Sequence, residues 1–128
     1  MKVEDFKVSG EVADAGELAI VLARRHGNGV NEFWLSHGND RYPAISLLVK
    51  GDLAALHYLR NETGAGFRSA GNLANLAAGA TTTFWISAGG ETIDVLNDAV
   101  MPFSVALAAA QEFLISRELP RSVEWFEL

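Results

Sequence analysis

The segment Lys50-Gly51-Asp52-Leu53 constrains this chain more than any other, because a glycine opening a two-residue loop between two apolar runs is the signature of a type II′ hairpin. A loop that short leaves no freedom of register. Val49 then faces Ala54, Leu47 faces Leu56 and Ile45 faces Tyr58 on one side of the ribbon, while Lys50 with Leu53, Leu48 with Ala55 and Ser46 with His57 share the other. The first side is a core face and the second is mixed.

The stretch Thr81–Leu96 repeats the construction, with Gly89-Gly90 as the expected loop, pairing Ile86 with Ile93 and Phe84 with Val95 on an apolar face. Trp85, Asp94, Ser87 and Thr92 fall on its other side. The expectation is that Ile45, Leu47, Val49, Leu56, Phe84, Ile86, Ile93 and Val95 share one buried face, with Trp85, Asp94 and His57 opposite. In Glu32–Ser36, Phe33 and Leu35 alternate with Glu32, Trp34 and Ser36, which puts Trp34 on the more polar side. Further strands are predicted over Val3–Val8 and Phe67–Ser69, and Asn72–Ala80 is left without assignment.

Two helices complete the set. Asp14 with Glu17 reads as an N-cap and its reciprocal acid, and Leu18, Val21, Leu22 and Arg25 follow at helical spacing, so the first helix is expected over Asp14–Arg25, with His26 at its C-terminus facing the dipole. The second opens with Pro102 in its first turn, carries Phe103, Ala106, Ala110, Phe113 and Leu114 on one stripe, and closes before Pro120. Its alanines suit close approach to a sheet. The fold class is therefore α+β: one domain over residues 1–128, a mostly antiparallel meander with two helices packed on one face.

With 49% hydrophobic and 20% charged residues the chain can build a core, and with no cysteine it can form neither disulfides nor thiolate metal sites. No apolar run at the start has signal-peptide length and none elsewhere spans a bilayer, so a soluble cytoplasmic protein is the simplest expectation, with no membrane partner. Sixteen acids against ten bases give a net charge of −6, which disfavours direct nucleic-acid binding and favours a basic partner, although many proteins are this acidic for solubility alone.

Candidate chemistry is sparse. Ser36, His37 and Asp40 crowd one loop with Arg41, but triads are assembled from separated segments, and Gly38-Asn39-Asp40 before Pro43 is ordinary turn chemistry. His26, His37 and His57 have no metal-ligand spacing. Gly64, Gly66 and Gly71 lack the third glycine of a dinucleotide loop, Ser69 standing there instead. Arg68 is either a partner contact or half of an internal salt bridge. Trp34 and Trp85 point away from the core, where they either form an interface or lie under the tail Val123–Phe126. No catalytic residue, metal or cofactor is expected.

Three segments, FWLSHGNDRYPAISLLVKGDLAALHY (Phe33–Tyr58), GAGFRSAG (Gly64–Gly71) and RELPRSVEWFEL (Arg117–Leu128), resemble a family of bacterial polymorphic-toxin immunity proteins often found beside deaminase-type toxins. The resemblance spans most of the chain and implies a protein that blocks a co-produced toxin domain, monomeric or weakly dimeric when free, in which Gly64, Gly66 and Gly71 shape a turn or bulge that presents Phe67 and Arg68. If that toxin is a nucleic-acid-modifying deaminase, as the resemblance implies, the acids Asp40, Asp52, Glu62, Glu91 and Asp94 are placed to face its basic groove, alongside Trp34, His37, Arg41, Arg68 and Trp85 as contacts. A small-molecule-binding α+β domain and a self-associating scaffold are the alternatives.

Overall fold

A computed structural model describes Met1–Leu128. In chain order the elements are β1 (Lys2–Glu4), β2 (Ser9–Glu11), α1 (Ala15–Leu22), β3 (Val30–Ser36), β4 (Ala44–Lys50), β5 (Leu53–Leu59), β6 (Phe67–Ala70), β7 (Thr81–Trp85), β8 (Thr92–Leu96), a 3₁₀ turn (Asn97–Ala99), β9 (Val100–Pro102), α2 (Phe103–Ser116) and β10 (Glu124–Glu127). Eight strands form one antiparallel sheet in the order β10-β6-β5-β4-β3-β1-β2, with β9 pairing β5 beside β6. β7 and β8 form a separate two-stranded ribbon. The fold is α+β, with both helices on one face of the large sheet.

The β4–β5 hairpin takes the register that its loop dictates: Val49 pairs Ala54, Leu47 pairs Leu56 and Ile45 pairs Tyr58. Gly51 supplies a φ of 56°, which a residue with a Cβ adopts only at a cost. Behind that face, 18 buried residues make the main core, where Phe33, Leu35, Ile45, Leu47 and Val49 from the sheet meet Leu18 and Leu22 of α1 and Ala106, Ala109, Ala110 and Phe113 of α2. The α2 alanines carry no bulk, so that helix lies close on the strands. Each large side chain buried this way contributes about 1.5–3 kcal/mol.

Several boundaries differ from the sequence expectation, each for a local reason. The predicted strand Val3–Val8 is cut after Glu4, because the Asp5 carboxylate accepts the backbone N–H groups of Lys7 and Val8 at 2.8 Å each and turns the chain back into β2. Helix α1 has the expected cap, with Asp14 accepting from the Glu17 amide at 2.9 Å and Glu17 reaching back to the Ala13 amide at 2.6 Å. It ends at Leu22 rather than Arg25. There the Arg25 guanidinium bonds the Leu22 and Arg24 carbonyls, and Asn31 also donates to Arg24, so the terminal carbonyls are satisfied by side chains instead of another helical turn. His26 consequently lies outside the helix, bridged to Val30 through the backbone.

The larger correction concerns the ribbon. Its loop spans four residues, closed by the Ile86 amide on the Glu91 carbonyl, so Phe84 pairs Ile93 and Thr82 pairs Val95. That is a slip of two from the expected pairs, which keeps every side chain on its expected face of the ribbon. The face packs elsewhere, however: Phe84 is fully buried with Ala55 and Val100, against Leu48 and Leu53, on the helix-free side of the large sheet. Phe84, Ile86, Ile93 and Val95 thus do not share a face with Ile45 and Leu47. The molecule has three layers, in the order helices, large sheet, ribbon.

Candidate protein-interaction surface

Ladder pairing arranges the helix-free face in rows, since residues directly opposite in an antiparallel sheet point the same way. One row runs Glu4, Trp34, Ser46, His57, Arg68, Phe126 across six strands. The ribbon covers only the part of this face around Leu48, Ala55 and Lys50. Trp34 remains 38% exposed, a large aromatic side chain left open to solvent. Beside it a depression of about 270 Å³ is lined by Lys2, Glu4, Ser36, Arg41, Tyr42 and Ala44 as well as Trp34. Lys2 and Glu4 pair with each other at 2.8 Å on its floor, so Arg41 brings a cation not already neutralised there.

The loop between β3 and β4 is anchored by His37. Its ring is buried, packs against Phe113 at 5.0 Å between centroids and donates from Nε2 to the Phe113 carbonyl at 3.1 Å. Burial pushes its pKa below the ordinary value, the Phe113 carbonyl opposing and Arg117 adding to the shift. The sequence expectation of His37 as an outward contact gives way to an internal one, and the ring faces neither Ser36 nor Asp40. Asp40 and Arg41 stand exposed on the same loop, with the Asp40 amide donating to the His37 carbonyl.

The other singled-out residues spread over the molecule. Glu62, exposed in the loop between β5 and β6, lies at the same end of the sheet as Asp40, whereas Asp52 lies in the β4–β5 turn a full strand length away, about 20 Å. Asp52 opposes there the burial that lowers the pKa of Arg25, whose guanidinium covers the Phe103 ring at 4.5 Å. Glu91 and Asp94 are exposed on the ribbon. Trp85 is half-buried with the Lys50 ammonium 5.5 Å over its ring. The five acids therefore do not converge on one patch.

Arg68 resolves toward an internal role, bonding Asp98 at 3.1 Å and the Ser69 carbonyl at 2.9 Å while stacking on Phe126 at 4.6 Å. The glycines before it do shape a turn. At Gly66, with φ 79°, a Cβ would run into the Tyr58 carbonyl and the His57 ring, so only glycine lets the loop return against β5. The tail does not cover the tryptophans: it forms β10 at the sheet edge on β6, and Trp125 turns to the core side beside Tyr58, its indole donating to the Pro120 carbonyl at 2.7 Å.

No family model matches the chain. It is 28% identical over 128 residues, 100% of both chains, to a double-stranded DNA deaminase immunity protein of Burkholderia cenocepacia (strain H111). The match supports a deaminase-toxin immunity family. The likeness is end to end, and so covers the sheet, both helices and the ribbon together.

Sequence reasoning missed part of the exposed apolar surface. Ile93, Leu96, Phe126 and Leu128 are 44–54% exposed. Alternation assigned Ile93 to the core. The signal that could have redirected it was the flanking pair Thr92 and Asp94, which leaves this strand polar on its other face and able to sit at a margin.

Proposed function

We propose that this chain is an immunity protein that binds a cognate DNA deaminase toxin and keeps it from its substrate. The observation that carries the reading is the full-length likeness to a deaminase immunity protein, supported by the large apolar side chains left exposed at Trp34, Ile93, Leu96 and Phe126. A deaminase acting on DNA must grip phosphates with Lys and Arg and draw the target base into a pocket. A chain of net charge −6 is drawn to such a groove by its overall field, its exposed carboxylates being spread over the surface and only some of them able to meet any one groove. Trp34 and Arg41 add the residue types that dominate binding energy at interfaces.

In this reading the chain performs no reaction of its own. It occludes the toxin's substrate-binding surface as a stoichiometric inhibitor, and it acts where the toxin is made or delivered. Affinity must be nanomolar or tighter, about −12 kcal/mol, to leave negligible free toxin. The experiment is co-expression with the toxin encoded by the adjacent gene. Survival with this chain, and death with an unrelated immunity protein in its place, is the expected pair of outcomes; death in both cases refutes the reading.

A further inference from the structure

A second groove, of about 360 Å³, lies between the ribbon and the large sheet. Its lining includes Ile93, Asp94, Val95 and Leu96, four consecutive residues of β8, and none from β7. Because side chains alternate along a strand, four in succession can line one groove only when it runs along the strand's edge. Ala55 and His57 of β5 form part of the floor, and Arg68 and Leu128 stand across from β8.

That edge is open. β8 pairs only with β7, and the ladder bonds at its two ends, Ile86 N–H to Glu91 and Asn97 N–H to Ala80, fix which amides are used. In an antiparallel ladder bonded and unbonded positions alternate, so Ile93 and Val95 bond inward to β7 while the backbone groups of Thr92, Asp94 and Leu96 point outward. An unpaired edge beside an apolar trough is a template for another strand. Ile93 and Leu96, 44% and 51% exposed, supply the apolar wall.

The charges select the occupant. Arg68 is already engaged by Asp98 and the Ser69 carbonyl, and Asp94 and Glu91 have no cationic partner in the chain. A second copy pairing antiparallel through its own β8 would bring Asp94 against Asp94 or Asp94 against Glu91, and either pair repels. A segment carrying Lys or Arg is attracted instead. We propose that the free edge of β8 receives an extended segment of the cognate toxin domain, which adds a third strand to the ribbon and seats an apolar side chain, flanked by Lys or Arg, in the groove. The inference rests on the immunity reading and names the surface through which it operates.

The test uses the full chain and a catalytically inactive deaminase domain from the adjacent gene, measured by titration calorimetry and amide exchange. Thr92→Pro removes an outward N–H without touching a ladder bond, Ile93→Asp removes the apolar wall, and Ile20→Asp, 78% exposed on α1, is the control. Thr92→Pro and Ile93→Asp are each expected to weaken binding by about tenfold or more, with Ile20→Asp unchanged. In the wild-type complex the amides of Thr92, Asp94 and Leu96 should gain protection that those of Ile93 and Val95 already have. Wild-type binding left intact by both substitutions, with no new protection at Thr92, Asp94 and Leu96, overturns the inference and leaves the immunity reading standing. No wild-type binding at all sinks that reading and the inference with it. A concentration-dependent dimer of this chain that Ile93→Asp abolishes would assign the edge to a second copy and overturn it too.

Discussion

Asp5 gathers more bonds than any other side chain, and its placement explains how the amino-terminal turn, the end of α1 and the start of β3 are held together. Its carboxylate has no exposed surface and accepts from the Lys7 and Val8 amides, Arg24 at 3.0 Å and Asn31 at 3.2 Å, with the His26 ring 3.2 Å away. Burial alone would raise its pKa, but the amides of Lys7 and Val8 and the side chains of Asn31 and Arg24 outweigh it and hold the group well below the usual carboxylate range. A carboxyl depressed in the folded state stabilises above its unfolded value, about 3.9, and loses that contribution as pH falls further. Asp5→Asn is therefore expected to cost about 2–3 kcal/mol at neutral pH and to flatten the acid limb of the stability curve below about pH 4, read by urea titration across pH. A variant with an unchanged acid limb would show that the cluster contributes nothing to it. His37 acts in a higher window. Its pKa, lowered from 6.5, favours the neutral ring in the fold, so its contribution is complete above pH 6.5 and declines as pH falls below that value. His37→Gln should remove that decline below about pH 6.5, measured by the same titration.

Among the layers, the ribbon has the weakest attachment, because no strand ladder joins it to the large sheet and only Phe84 among its side chains is fully buried, in a cluster of three buried residues. Phe84→Ala should cost about 3–5 kcal/mol and loosen the ribbon more than the rest, so that amides of β7 exchange faster while those of β4 and α2 change least. Uniform destabilisation of every element would contradict that ranking. The two hairpins also show what a sequence can and cannot announce. In β4–β5 a two-residue loop left one register and one core face, and both were legible from Gly51 and the alternation around it. In β7–β8 alternation identified the faces but not the loop length, and it carried no information about which side of the large sheet would receive the apolar face. Both sides of β4 and β5 have apolar residues, Leu48 and Ala55 on one and Leu47 and Leu56 on the other, so the choice is settled only by tertiary packing. The turn at Asp5 had a trace in the sequence, because Val3 and Phe6 lie three apart and break the period of two there, and Asp is itself a poor strand residue. His37 was misjudged because its neighbours read as an exposed turn, and nothing local foretells a contact with Phe113, 76 residues away.

At the scale of the molecule, one face of the sheet is sealed by helices and the other is only partly covered, which leaves Trp34 and the edge of β8 accessible on the same side. The net charge of −6 should draw in a basic partner, so association with the toxin domain is expected to slow as salt shortens the screening length from about 10 Å at 0.1 M to about 3 Å at 1 M. Asp94→Lys should lower that rate and weaken its salt dependence in stopped-flow measurements, with little effect on the melting temperature. A rate indifferent to both would remove electrostatic matching from the account. The central claim meets its most direct test in a deamination assay with the purified toxin domain from the adjacent gene acting on DNA, titrated with this chain. The account predicts a linear fall in activity that reaches zero at one equivalent, as expected of a tight one-to-one inhibitor, and undiminished activity in the presence of a molar excess would contradict it.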